Sequence, residues 1–279
     1  MKSTKEIELK IKKFEDIGKI VLSMKSIASL NVQKAQHLIN GIRDFEEEIV
    51  KGVQKVLSFF PEVQLSFKKG KKTVIVYGSD QGLCGLFNEK IGKDIQERFK
   101  DDKELEGFIV VGKKLDDVIT GKKLKTFQAP VDYESIYSYA SELIEFISEL
   151  YVSGIINEIY VAYNQFMGIG KYRPVLKKVI PFEIERKAVY RFPPITDIEP
   201  EAILSNLIIE YIFAHIYRSY LESFLSENGV RLMNMNNASK SIEKSINRLE
   251  VEKNYYRQEE ITDEIQEIIS AYKVLVGEK

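Results

Sequence analysis

The chain has 279 residues, 44% hydrophobic and 30% charged, with 41 Lys+Arg against 42 Asp+Glu and a formal net charge of −1. That balance excludes a strongly basic nucleic-acid binder on global electrostatics, and the charge content fits long solvated helices. One cysteine (Cys84) allows no internal disulfide or cysteine metal cluster, and two histidines (His37, His215) leave little for a zinc site or a Ser-His triad. The apolar runs, such as Phe108 to Val111, fall far short of the ~20 residues that span a bilayer, so the expectation is a soluble, cytoplasmic chain.

The first arm covers residues 1–60. Ile17, Val21, Met24, Ala28, Asn31, Ala35, Leu38, Ile42, Phe45 and Ile49 are spaced alternately by four and three, the period of a coiled-coil seam. Ile7, Ile11 and Phe14 extend the stripe upstream with a small change of phase. A helix of this length cannot bury its stripe on a small domain alone and calls for a partner helix.

Residues 70–190 read as an α/β domain. Thr73–Tyr77 is a buried strand, followed by a glycine turn and a helix through Phe99. Phe108–Val111 and Leu124–Phe127 are further strands, Tyr133–Tyr151 is an amphipathic helix, and Ile159–Tyr163 and Val175–Phe182 complete about five strands. Alternating strands and helices imply a mostly parallel sheet covered on both faces, a Rossmann-like arrangement. The turn Gly78-Ser-Asp-Gln-Gly-Leu-Cys-Gly85 sits where backbone amides can cradle a phosphate, but it has neither Gly-Lys-Ser/Thr nor GxGxxG, and Asp80 would repel an anion. It reads instead as a tight βα turn with Ser79 or Asp80 as the helix N-cap and Cys84 as a small packing residue.

Residues 200–279 form the second arm. Leu204, Leu207, Ile208, Tyr211, Ile212, Ile216 and Tyr220 make a wide apolar face. Ile242, Ile246, Leu249, Tyr256, Ile261, Ile265, Ile268, Tyr272 and Leu275 then return to steps of four and three. Residues 1–60 hold 11 basic and 8 acidic side chains and residues 201–279 hold 9 and 13, so the arms carry opposite sign. Folding back from one central domain makes them an antiparallel pair, with ~30 Å of the longer arm left single. Ser226-Glu-Asn-Gly229 and the small, polar Arg231–Ala238 read either as a weak spot or turn or as a narrow segment over which something packs, with Met233 and Met235 as adaptable contacts. Arg231, Arg257 and Gln258 read as mostly solvated donors; an arginine can fork onto a partner's carboxylate and the glutamine can add a second hydrogen bond.

At these residues the chain resembles the gamma subunit of F-type ATP synthases, the central-stalk rotor. The C-terminal pattern is carried by Ser226, Glu227, Arg231, Met235, Ala238, Ile242, Asn254, Arg257, Gln258, Ile261, Thr262, Glu264, Ile265, Glu267 and Ile268. The N-terminal pattern is carried by Lys5, Glu6, Ile7, Lys10, Ile11, Lys19, Ile20 and Met24, and Ser79–Gly85 is similar to the family's turn, with Gln81 in place of an arginine and Leu86 in place of a glycine. The stretch Arg191–Pro200 lacks the family's usual tyrosines, and no cysteine pair exists for a thiol switch.

The resemblance implies a subunit that makes and breaks no covalent bond and holds no cofactor or metal. It implies a curved antiparallel coiled coil seated among alpha and beta subunits, with the α/β domain on the membrane c-ring beside epsilon at the cytoplasmic membrane face. It also implies that Arg231, Arg257 and Gln258, with Glu227, Thr262 and Met24, contact the beta subunit. Two other readings stand beside it: a nucleotide-binding α/β module with coiled-coil arms, and a non-catalytic tether.

Overall fold

The computed structural model describes residues 4–63, 67, 69–182 and 192–277. Among these, the elements in chain order are α1 (Thr4–Phe59), β1 (Lys72–Tyr77), α2 (Phe87–Arg98), β2 (Leu105–Val111), α3 (Lys113–Asp116), β3 (Lys123–Phe127), α4 (Ile136–Val152), β4 (Glu158–Gly168), β5 (Lys171–Ile180) and α5 (Pro200–Gly277). The chain divides into two units, one of Met1–Ile27 with Met233–Lys279 and one of Ala28–Leu232. Arg191 of the predicted pre-helix stretch and the side chain of Leu275 lie outside the described residues.

In the first unit α1 and α5 run antiparallel. The Thr4 amide and hydroxyl donate to the two carboxylate oxygens of Glu260 at 3.1 and 2.7 Å, Glu8 lies 3.8 Å from Lys253, and a Cβ at Gly18 would stand 3.6 Å from Ile242. Glu260 thus satisfies a free amide at the start of α1 from the facing helix. Ile7, Ile11, Val21 and Met235 are buried. Beyond Glu260 the pairing stops, and every residue from Ile261 to Lys273 is exposed, including Ile261, Ile265, Ile268 and Tyr272 of the predicted stripe.

In the second unit the sheet order is β3-β2-β1-β4-β5, with β5 the one antiparallel member. Strand alternation assigns the faces. Val74, Val76, Phe108, Val110 and Ala162 meet Ile91, Ile95, Leu115 and Ile119 of the α2–α3 side. Ile75, Tyr77, Ile109, Val111, Val161 and Tyr163 meet α4 through Ile136, Ala140 and Leu143. The same face meets the helix pair through Val32, Ala35, Ile39, Tyr220, Leu221 and Phe224. The helix pair therefore forms part of the layer that closes one face of the sheet. Where α1 ends, Val53, Val56, Leu57 and Val63 pack with Phe182, Leu204 and Ala214.

Two sequence expectations change. The seam of α1 keeps Val21, Ala28, Ala35 and Ile49, but Ile17, Leu38 and Phe45 are exposed. Their neighbours Ile39 and Glu46 are buried instead, Gly18 faces Ile242, and Val32 is buried alongside Asn31. One of the two seam columns lies one residue further on, which is decided by the partner: Glu46 meets Arg218 and His215 of α5, and Phe45 has no such reason to turn inward. Second, neither Ser79 nor Asp80 caps α2, whose N-cap position is Leu86 with no side-chain cap. The Asp80 carboxylate instead accepts from the Lys113 amide at 2.7 Å, at the start of α3.

Candidate functional site

In a doubly wound sheet the ligand crevice lies at the carboxyl ends of the strands, where the order reverses. Here that point falls between β1 and β4. The turn after β1 is tightly held. The Asn88 Oδ1 accepts from the Ser79 amide at 3.0 Å, the Asn88 amide nitrogen donates to Ser79 Oγ at 2.9 Å, and the Ser79 carbonyl accepts from the Lys114 amide at 2.9 Å. An amide that would face a phosphate is already spent on Asn88. Gly112 has φ +105°, and a Cβ there would lie 2.7 Å from the Ser79 nitrogen, so only glycine lets the loop after β2 back onto this turn. Cys84 is buried, and burial pushes its thiol up, which suits packing rather than nucleophilic chemistry.

The crevice itself is occupied by α5. The Tyr220 ring stands edge-on to Tyr77 with centroids 4.5 Å apart, and Ser226 Oγ donates to the Asn164 carbonyl at 2.8 Å. Between the turn and α5, lined by Asp80, Gln81, Phe224, Glu227, Asn228 and Arg231, remains a cavity of about 20 Å³, room for about one water. An open cleft of about 650 Å³ exists at the other end of β2, beside Phe99, Leu105 and Lys122, away from the crevice. This geometry weighs against the nucleotide-module reading.

The predicted contact residues fall into two groups. Arg257, Gln258 and Thr262 are exposed on α5 and Met24 is half-buried on α1. The Thr262 hydroxyl donates back to the Gln258 carbonyl at 2.8 Å. Arg231 and Glu227, by contrast, are buried, which corrects the expectation that Arg231 is solvated. The Arg231 guanidinium forms an ion pair with Glu227 and donates to Asn228 Oδ1 at 3.3 Å, and Asn228 Oδ1 also accepts from Asn31 of α1 at 3.2 Å. Burial drives the Glu227 carboxyl up to about 7; Arg231 pulls the other way and Asp80 adds to the rise.

The sequence reading misses a second polar cluster. Glu46 of α1 holds His215 Nδ1 at 2.8 Å with one oxygen and Arg218 Nη1 at 2.7 Å with the other. Burial alone would raise this carboxyl, but hydrogen bonds and charge from His215 and then Arg218 outweigh it and hold it at about 2. One turn along, Glu222 is fully buried and accepts from Arg43 Nη2 at 2.6 Å. The available signal was the pair Arg218 and Glu222, spaced i,i+4 inside an apolar helix face. Ser226–Gly229 is uninterrupted helix, and what packs over it is the chain's own β4–β5 hairpin: a Cβ at Gly229 would stand 3.2 Å from the Phe166 ring.

Among the described residues no group of His, Cys, Asp and Glu is placed to hold a metal ion, and no helix is long and apolar enough to cross a membrane. Two long helices paired antiparallel, with a doubly wound domain whose crevice is filled by one of them, define a mechanical, stalk-type subunit. The family model described as ATP synthase matches residues 3–275. The ATP synthase gamma chain of Polynucleobacter asymbioticus is 30% identical, covering 96% of this chain and 98% of that one. The gamma chain of Pelotomaculum thermopropionicum is 29% identical over 99% and 100%. A chain of the Euglena gracilis mitochondrial ATP synthase rotor superposes with a TM-score of 0.63 at 14% identity, over 92% of this chain and 98% of that one. The chain belongs to the ATP synthase gamma-chain family.

Proposed function

We propose that this chain is the central-stalk rotor subunit of an F-type ATP synthase, coupling ion-driven rotation of a membrane ring to conformational change in a head of alpha and beta subunits. The observation that carries the reading is the antiparallel pairing of α1 with α5 joined to a domain whose ligand crevice is filled from within. Such a part has no reaction to perform. It acts by presenting a different surface to each catalytic subunit as it turns, so that each orientation favours a different conformation of its neighbour. In this reading the chain is non-catalytic and carries no cofactor. Its partners are the alpha and beta subunits, epsilon and the c-ring, and it sits peripherally on the cytoplasmic membrane face.

The residues proposed to meet the beta subunit are Arg257, Gln258, Thr262 and Met24, with Arg231 and Glu227 as a second pair. The exposure of Arg257, Gln258 and Thr262 supports a direct role, although the Thr262 hydroxyl donates to its own helix. Arg231 and Glu227 engage each other inside this chain, so a partner contact there exchanges one ion pair for another. The test is co-purification with alpha and beta subunits followed by turnover of the assembled complex. Arg257→Ala is expected to lower rotation-coupled ATP turnover about tenfold while helix content stays unchanged. Failure of the wild-type chain to join an alpha–beta complex would remove the reading, and unchanged turnover in an assembled variant would remove the role of Arg257.

A further inference from the structure

The end of the β4–β5 hairpin poses a question of backbone accounting. β1 pairs with β4 only from Lys72↔Glu158 to Val76↔Ala162, so Tyr163–Gly168 extend past β1 with one edge facing no strand. An open edge of buried amides and carbonyls is costly unless something else pairs with it.

α5 supplies the partners from one face. The Phe166 amide donates to Glu222 Oε2 at 3.0 Å, and the Asn164 carbonyl accepts from Ser226 Oγ at 2.8 Å. One turn further, Gly229 leaves room for the Phe166 ring and for the tip at Ile169 and Gly170. Residues 222, 226 and 229 are spaced by four and three, so a single helix face completes the missing ladder. The other oxygen of Glu222 accepts from Arg43 Nη2 at 2.6 Å and Nε at 3.2 Å on α1 and faces Arg218 Nε at 3.7 Å. One fully buried carboxylate therefore ties together α1, α5 and the overhanging arm of the sheet.

We propose that Glu222 is a positioning residue for coupling: by joining the Phe166 amide to Arg43 across α5, it fastens the α/β domain to the paired helices so that torque passes between them. This rests on the rotor reading above. A joint of this kind is not needed for ATP hydrolysis by the head, but it is needed for hydrolysis to drive ion movement. Its loss should separate the two.

The test uses the assembled complex in vesicles, with ATP hydrolysis and ATP-driven ion uptake measured on the same preparation by proton- and sodium-sensitive dyes. Glu222→Ala should leave hydrolysis within about twofold while ions moved per ATP fall at least about fivefold. Adding Gly229→Cys with Ile169→Cys, where a Cβ at 229 stands 3.7 Å from the Ile169 Cα, should restore the ratio when oxidised and lose it again when reduced. An unchanged ratio in the alanine variant, or an oxidised pair that leaves it low, overturns the inference. Should the variant not assemble, the wild-type complex decides. Its Phe166 amide should exchange about 100-fold more slowly than the Ile169 amide at the tip, and equal rates overturn the proposal. A wild-type complex that hydrolyses ATP without moving ions overturns the rotor reading itself, and this inference with it.

Discussion

Two carboxylates with nearly the same burial, Glu46 at 7% exposure and Glu227 at 6%, end on opposite sides of the usual carboxylate range. Glu46 sits between His215 and Arg218, one for each oxygen, and is held at about 2. Glu227 has Arg231 on its own helix and the like charge of Asp80 nearby, and burial pushes it to about 7. Their surface exposure is alike, but Glu227 is the more deeply enclosed and the more sparsely partnered, so burial and partner set act together to set the sign. A carboxylate with a donor on each oxygen is held as the anion well into acid, whereas one with a single cation and a neighbouring acid takes up its proton at a higher pH.

The largest expected effect follows from removing the better-partnered acid. Glu46→Ala leaves half-buried Arg218 and buried His215 without the carboxylate that joins them, and should cost about 3 kcal/mol in a urea titration of the purified chain at neutral pH. Next comes the loop that holds Asp80 beside Glu227. Gly112→Ala forces a Cβ against the Ser79 backbone at a φ that side chains avoid, and should cost about 2–3 kcal/mol by the same measurement.

The comparison also predicts two pH slopes of opposite sign. The folded value of Glu46 lies below its ordinary 4.5, so the stability it contributes is present above 4.5 and is lost as pH falls toward 2, by about 3 kcal/mol in all. The folded value of Glu227 lies above 4.5, so its contribution is fully present below 4.5 and is lost as pH rises through about 7. Glu227→Gln should flatten the upper slope and leave the lower one in place, read from thermal melts across the pH range. The smallest effect belongs to Asp80→Asn, which keeps an acceptor for the Lys113 amide and removes only the charge. It should move the Glu227 titration, followed by carboxyl NMR, downward by less than about one unit.

The strands were legible because most are short apolar runs bounded by turn residues, though β5 begins at Lys171 and ends at Ile180 where the pattern placed Val175–Phe182. The arm at Tyr163–Gly168 was not: Asn164-Gln-Phe-Met-Gly168 has the composition of a strand end, yet it continues as a strand paired with β5, while Glu222 and Ser226, more than fifty residues later, bond to its other edge. The seam of α1 was half legible. A hydrophobic count prefers Phe45 to Glu46, and only the Arg218 cation and the His215 ring of α5 reverse that choice. In the candidate site the residue types at Arg231 and Glu227 were visible, but their enclosure was not, since it depends on Asn31, Asn228 and the turn at Asp80 meeting them in three dimensions.

The helix lodged against the carboxyl ends of β1 and β4 also sets how this domain meets the cell's metabolites. In related architectures that groove is where small molecules bind. Here a metabolite would first have to expel Tyr220 and its neighbours, which also close one face of the sheet. The groove at the strand ends is thereby closed by the chain's own helix, and opening it would sacrifice the packing that covers that face of the sheet.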